Sequence, residues 1–226
     1  MQAVLNFSIA EKNKVAEFLK RLEQLEKKSK FEELHAKLCD CTVTLYSSGK
    51  LLIQGNSAES VKEKILAELD LEDTLVLGID EAGRGESFGP MVVAGVLGQI
   101  NKLRELRDSK KTRNIREKKE TVLKNSITSF VVSVSAQAID EMRTEGKNLN
   151  QIEAEIIDNI VAAAKKTHSG FRIVVDGNAL PTSEKGIEFL PKADDLNPVV
   201  GAASVLAKAT RDASKDKEKR RTWKTK

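Results

Sequence analysis

Gly78-Ile79-Asp80-Glu81-Ala82-Gly83-Arg84-Gly85 is the stretch on which the fold turns. The apolar run Leu75-Val76-Leu77 leads into it and has the composition of a buried strand. That strand would deliver two adjacent carboxylates and then a glycine-rich bend. Charge at the end of a buried strand is costly to desolvate unless something compensates it. A divalent metal would do so, because hard cations take carboxylate oxygens. Neighbouring strand residues point to opposite faces. Asp80 and Glu81 are therefore expected to share a metal only if the strand turns there. Gly83 and Gly85 supply the turn and let a ligand approach the backbone.

The same logic recurs downstream. Arg172-Ile173-Val174-Val175-Asp176-Gly177 is a second buried strand ending in a carboxylate and a glycine. Between the two, Met91 to Leu97 and Phe130 to Ala136 read as further strands. Asn150 with Glu153 has the spacing of a capping box. The helix it would open carries Ile152, Ile156, Ile157, Ile160, Val161 and Ala164 inward. Asn197 followed by Pro198 is a second helix start. The small residues Ala202-Ala203-Ser204 beyond it allow close packing on a sheet. Asp194 and Asp195 precede that helix, where a carboxylate is favoured with or without a ligand. Gly83, Gly85 and Gly89 loosely match a dinucleotide-binding fingerprint. That fingerprint needs a helix straight after the glycines, and Pro90-Met91-Val92-Val93 denies it. The charged segment from Leu103 to Lys124 reads as a solvated helix face.

The N-terminal part has a different pattern. Val4 to Ile9 reads as a strand and Glu11 to Glu26 as an amphipathic helix. Cys41, Val43 and Leu45 alternate with Thr42, Thr44 and Tyr46, as in a half-buried strand. Ser47-Ser48-Gly49-Lys50 signals a hairpin, and Leu51 to Gln54 returns as the partner. Asn56 with Glu59 would cap a second helix. The acidic joint Asp70-Leu71-Glu72-Asp73 marks a boundary, giving domains 1–72 and 73–226. One face of the small sheet would be polar, with Thr42, Thr44, Tyr46 and Gln54. Polarity there fits either a solvent-facing side or a nucleic-acid platform.

Composition adds bounds. The chain has 226 residues, a net charge of +4, one Trp, one Tyr and seven Phe. That charge is compatible with nucleic acid without establishing it. Cys39 and Cys41 share one strand face, where a disulfide would be strained, so both are expected to be reduced. The first residues lack the basic and apolar segments of a signal peptide. No apolar run reaches the roughly 20 residues of a spanning helix. The expectation is a soluble, cytoplasmic monomer with no membrane association, and a disordered basic tail from Lys215 to Lys226.

Gly-Ile-Asp-Glu-Ala-Gly-Arg-Gly resembles the signature of the type 2 ribonucleases H, the HII/HIII family. Phe88-Gly89-Pro90 and Asp108-Ser109-Lys110-Lys111 extend the likeness. So do Lys192-Ala193-Asp194, the run Ala202-Ala203-Ser204-Val205-Leu206-Ala207-Lys208, and Arg211-Asp212. The resemblance spans roughly Leu75 to Asp212. It implies an α/β fold, a ribonuclease H-like mixed sheet with flanking helices. Three antiparallel strands would come first, then parallel strands alternating with helices. The N-terminal part resembles the small α+β, TATA-binding-protein-like domain of ribonuclease HIII, with Cys41 to Gly55 carrying most of the likeness. The implied activity is metal-dependent cleavage of the RNA strand of an RNA/DNA hybrid, leaving 3′-hydroxyl and 5′-phosphate ends. Asp80, Glu81, Asp176 and Asp194 would hold two divalent cations, Mg²⁺ or Mn²⁺, with Asp80 bridging; the Lys-Ala-Asp register selects Asp194 over Asp195. Gly83, Arg84 and Gly85 would contact the 2′-hydroxyl and a phosphate. Ser109, Lys110, Lys192 and Ser204, with Thr42 and Tyr46 in the small domain, would contact the hybrid. Neither His35 nor His168 is placed to act as a general base. The family's C-terminal tyrosine, which stacks under the ribonucleotide, has no match, because the one tyrosine is Tyr46. A non-catalytic nucleic-acid-binding protein is the alternative from another class.

Overall fold

The computed structural model describes residues 1–7, 9–69, 74–104 and 115–223. The chain forms two units, one of Met1–Asp73 with Arg104–Lys111 and one of Thr74–Leu103 with Thr112–Lys226.

The first unit is built from β1 (Gln2–Asn6), α1 (Ile9–Lys20), β2 (Glu23–Gln24), β3 (Glu32–Leu38), β4 (Cys41–Tyr46), β5 (Lys50–Gln54) and α2 (Ala58–Glu68). Its sheet has the order β1-β5-β4-β3-β2 and is antiparallel throughout. The alternation read from the sequence puts Cys41, Val43 and Leu45 into a core shared with Val15, Leu19 and Ile65 of the helices. Both cysteines are free, Cys39 exposed and Cys41 buried.

Several expectations fail here, each for a local reason. The first helix stops at Lys20 rather than Glu26, because the Gln24 side chain donates to the carbonyl of Leu19 in its last turn (2.7 Å) and to that of Leu22 just beyond it (3.0 Å). Strand β3 was not anticipated, since Glu32, Glu33 and Lys37 mask its alternation. The Asn56–Glu59 box does not form; Ser57 is the N-cap and makes no side-chain bond. Thr44 is buried rather than displayed on a polar face, and it pairs with buried His35 across the strands.

The second unit contains β6 (Leu75–Ala82), β7 (Met91–Gln99), α3 (Ile100–Leu103), α4 (Ile115–Asn125), β8 (Thr128–Val134), α5 (Ala136–Thr144), α6 (Leu149–Thr167), β9 (Arg172–Asp176), β10 (Ile187–Leu190), α7 (Ala193–Leu196) and α8 (Pro198–Ala213). The sheet order is β10-β9-β6-β7-β8. The first three strands are antiparallel, as expected, while β9 runs parallel to β6 and β10 parallel to β9. Leu77, Ile79, Met91 and Val93 face α6 and form the core with Ile152, Ile156, Ile157 and Ile160. Strand β8 ends at Val134 rather than Ala136, because the Ser135 hydroxyl accepts from the Ala138 amide and starts α5. The capping box of α6 is Asn148 with Gln151, two residues before the expected pair.

Helix α8 covers the opposite face of β6. The expected cap holds: the Asn197 side chain accepts from Val199 N–H, with Pro198 at the first turn. Its first turn lies directly on Gly78. A Cβ there would sit 2.5 Å from Val200 N and 2.6 Å from Val199 C. The absence of a side chain at Gly78 thus sets how closely α8 approaches the strand that carries the acidic pair. Gly78→Ala is expected to cost about 3 kcal/mol, the upper end of ordinary overpacking, because backbone atoms cannot step aside. Gly95→Ala meets Ile160 Cγ2 instead, a side-chain atom that can shift, and is expected to cost less. Chemical denaturation of both variants checks the order; equal stability would mean that α8 is not seated on Gly78.

Candidate active site

Asp80 lies near the end of the central strand, with only 5 % of its surface exposed. Its Oδ1 accepts the Glu81 N–H at 2.7 Å. The Ser204 hydroxyl of α8 hydrogen-bonds the same carboxylate, and Lys208 Nζ donates to Ser204 Oγ at 2.8 Å. Burial, together with the charges of Glu81 and Asp176, pushes the Asp80 carboxyl up to about 7. Asp176 is placed by register: Ile79 pairs with Val175 in the parallel ladder, so the next positions are Asp80 and Asp176. Asp176 Oδ1 accepts the Ala193 N–H at 2.5 Å, which anchors the start of α7 beside it. The next residue in that helix is Asp194.

Glu81 departs from the expected geometry. Pairing continues through Ala82, so the strand does not turn at the acidic pair. Asp80 starts toward α8 and Glu81 toward α6. The longer side chain of Glu81 nevertheless brings its carboxyl within hydrogen-bonding reach of Asp80. Burial raises the Glu81 carboxyl above its ordinary value, and the charge of Glu153 raises it further.

Glu153 was missed as a site residue. It is buried at 4 % exposure on α6, among core isoleucines, and its own carboxyl is raised by burial. Its Oε2 lies 2.6 Å from Arg84 Nε. This is a close charge pair rather than an aligned hydrogen bond, since neither atom has a hydrogen-bond partner among the described residues. Arg84 Nη2 also donates to Asn150 Oδ1. The two residues expected to cap α6 therefore hold Arg84 instead. A glutamate at a core-facing helical position was the available signal.

The loop after β6 turns at Gly83, where φ is +83° and a Cβ would meet Pro90 O at 2.6 Å. Its carbonyls are held by two arginines. Arg211 donates to Phe88 O (3.2 Å) and Pro90 O (3.3 Å). Arg220 donates to Gly83 O (2.7 Å), Gly89 O (3.0 Å) and Arg84 O (3.3 Å). The expected disorder of the tail is thereby corrected up to Trp223. Lys219 bridges Phe88, and Asp140 accepts the amides of Arg221 and Thr222. No periodic signal marks this in Lys215-Asp216-Lys217-Glu218-Lys219, whose charge mimics a solvated tail.

The remaining candidates are spread more widely. Lys192 is exposed and left-handed at φ 61°. Ser204 is buried behind Asp80, not open to a ligand. Thr42 and Tyr46 are half-buried on β4 of the first unit. Ser109 and Lys110 lie outside the described residues. Among the described residues no three His, Cys, Asp or Glu side chains form a ready coordination shell. The donor set still fits a hard divalent cation: all donors are carboxylate oxygens, Asp80 is in electrostatic contact with Glu81 and Asp176, and burial raises Asp80 and Glu81 toward protonation. Among the described residues no helix is long and apolar enough to cross a membrane.

A ribonuclease HII family profile matches residues 77–225, which include every one of these acids. The chain belongs to the ribonuclease HII family. It is a ribonuclease H, an endonuclease of RNA/DNA hybrids, and nothing in the match favours the non-catalytic alternative. A second profile, a domain of unknown function (DUF3378), matches residues 2–70. Ribonuclease HII of Methanosphaera stadtmanae is 32 % identical over 155 residues, covering 62 % of this chain and 73 % of that protein. The crystal structure of Aquifex aeolicus RNase H3 shares the fold at TM-score 0.51 and 22 % identity, covering 93 % of this chain and 84 % of that one. Bst-RNase HIII in complex with Mn²⁺ shares it at TM-score 0.57 and 20 % identity, over 93 % and 80 %. These two alignments extend over residues of both units of this ribonuclease H.

Proposed function

We propose that this ribonuclease H cuts the RNA strand of hybrids at Asp80, Glu81, Asp176 and Asp194, leaving 3′-hydroxyl and 5′-phosphate ends. The observation that carries this is the buried, raised carboxylate of Asp80 beside Glu81 and Asp176. These acids would hold two divalent cations, Mg²⁺ or Mn²⁺, which supply an activated water and stabilise the leaving oxygen. The Mn²⁺ bound to Bst-RNase HIII supports that choice of metal class. Ser204, backed by Lys208, fixes the Asp80 carboxylate from behind. Glu153 and Asn150 hold Arg84 at the mouth of the loop, where its charge faces a phosphate. The backbone of Gly83, Arg84 and Gly85 recognises the 2′-hydroxyl, the group that separates RNA from DNA at one residue. Exposed Lys192 adds a phosphate contact, as do Ser109 and Lys110. The first unit, with Thr42 and Tyr46, contributes to gripping the hybrid. The protein works as a cytoplasmic monomer.

Asp80→Asn keeps the shape and removes one charge. It is expected to lower the rate by at least about 10³-fold, with hybrid binding largely kept. Asp195→Asn should be mild and Asp194→Asn severe. A cation titration of cleavage on a labelled hybrid checks all three; near wild-type cutting by Asp80→Asn would overturn the assignment.

Substrate preference follows from the hybrid contacts proposed for the first unit. The single tyrosine, Tyr46, lies in the first unit. A stacked aromatic contributes roughly 1–3 kcal/mol per base. With that contact made by the first unit, hybrids with several consecutive ribonucleotides should be cut efficiently and a lone ribonucleotide weakly. Initial rates on duplexes with one and with four ribonucleotides measure this. Equal rates, or a faster cut at the single site, would reject the preference.

A further inference from the structure

Arg220 is the least expected side chain of the second unit. It is 1 % exposed, and its guanidinium is spent on the carbonyls of Gly83, Arg84 and Gly89. Its own N–H donates to Ser87 O at 2.9 Å, and its charge lies 6.0 Å from the Trp223 ring centroid. The tail around it is tied down separately. Gly89 N–H donates to Glu218 O at 2.9 Å, Ala136 N–H to Asp216 Oδ2 at 2.9 Å, and Thr222 N–H to Asp140 Oδ1 at 2.9 Å. Arg220 is thus delivered to the loop by a tail segment that is tied down on both sides of it.

The peptide group is planar and trans, so each carbonyl and the following N–H point in opposite directions. Carbonyls of Gly83 and Arg84 that point at Arg220 therefore turn the N–H groups of Arg84 and Gly85 away from it. These are the amides of the segment taken above to recognise the ribose. Gly83 cannot set this orientation alone, because glycine tolerates many backbone conformations. A charged donor locks it, since hydrogen bonds to charged groups are the stronger class.

We propose that Arg220 is a positioning residue for ribose recognition: by holding the carbonyls of Gly83 and Arg84, it aims the Arg84 and Gly85 amides at the 2′-hydroxyl of the scissile nucleotide. This rests on the assignment of the Gly83-Arg84-Gly85 segment to ribose recognition. Arg220 touches neither substrate nor metal in this role. It explains why the tail, which carries none of the four acids, is threaded across the mouth of the site.

The test couples the protein change to a substrate change. Full-length wild type, Arg220→Ala and Arg220→Lys are compared on a hybrid with normal ribose and on one with 2′-fluoro at the scissile nucleotide. Arg221→Ala, on the same tail, is the control and is expected to behave as wild type. Wild type should lose heavily on the 2′-fluoro substrate. Arg220→Ala should lose about 10²-fold in kcat/KM on normal ribose, the scale of a small misplacement, and lose little more on 2′-fluoro. Arg220→Lys, which cannot fork to separate carbonyls, should show the same pattern more weakly, and it carries the test if the alanine variant does not fold. Added guanidinium should restore part of the Arg220→Ala rate on normal ribose and none on 2′-fluoro. A folded Arg220 variant that keeps the full 2′-fluoro penalty would overturn the proposal, as would one that cuts normal ribose at the wild-type rate. A wild type indifferent to 2′-fluoro would instead overturn the ribose-recognition role of the loop, and a wild type that cuts no hybrid would overturn the proposed function itself.

Discussion

The structure of the second unit depends on keeping one carboxylate buried at the end of its central strand. Asp80 is nearly inaccessible, and burial alone is the largest influence on its protonation. Charge in such a place is tolerated only when neighbours are arranged around it. Gly78 lets α8 settle on the strand two residues earlier. That contact brings Ser204, and through it Lys208, behind the carboxylate. The parallel register with β9 puts Asp176 alongside, and the Asp176 carboxylate in turn starts α7 and places Asp194. Each element is fixed by the one before it, so the acidic cluster is a consequence of sheet order and one close helix contact.

The loop beyond the strand is governed by a second pairing of the same kind, with signs reversed. Its carbonyls are gathered by Arg211 from α8 and Arg220 from the tail. Arg84 is held from the other side by Glu153 and Asn150 of α6. A net hydrogen bond to a charged group is worth about 1.5–3 kcal/mol, so several such bonds outweigh the conformational freedom that Gly83 and Gly85 bring. The loop is flexible by composition and constrained by its neighbours.

Much of this was legible in the sequence, because buried strands ending in carboxylates are rare and the pattern occurs twice. The helix start at Asn197-Pro198 and the core face of α6 follow from capping and local periodicity, whereas the succession of antiparallel and then parallel strands comes from the family resemblance. What escaped detection was either charged or long-range. Strand β3 hid behind Glu32, Glu33 and Lys37. Asn150 and Glu153 looked like a cap because the spacing is right, but Asn148 and Gln151 do that work and free the other two for Arg84. Ser204 looked open to ligand because its place in a helix of small residues does not reveal which face the sheet covers. Lys215 to Trp223 looked like a solvated tail, since nothing in a run of charges signals that one arginine finds three carbonyls some 130 residues earlier.

The central claim is that the Asp80 cluster is a divalent-cation site, and calorimetric titration of the full chain with Mn²⁺, without nucleic acid, tests it most directly. A carboxyl raised to about 7 is protonated in the free protein below that value, so a cation must displace the proton. Binding should therefore release protons at pH 6.5, release fewer at pH 8, and weaken as the pH falls; Asp80→Asn should abolish it at both. Saturable binding with no proton release at pH 6.5, or binding that survives Asp80→Asn unchanged, would contradict the account.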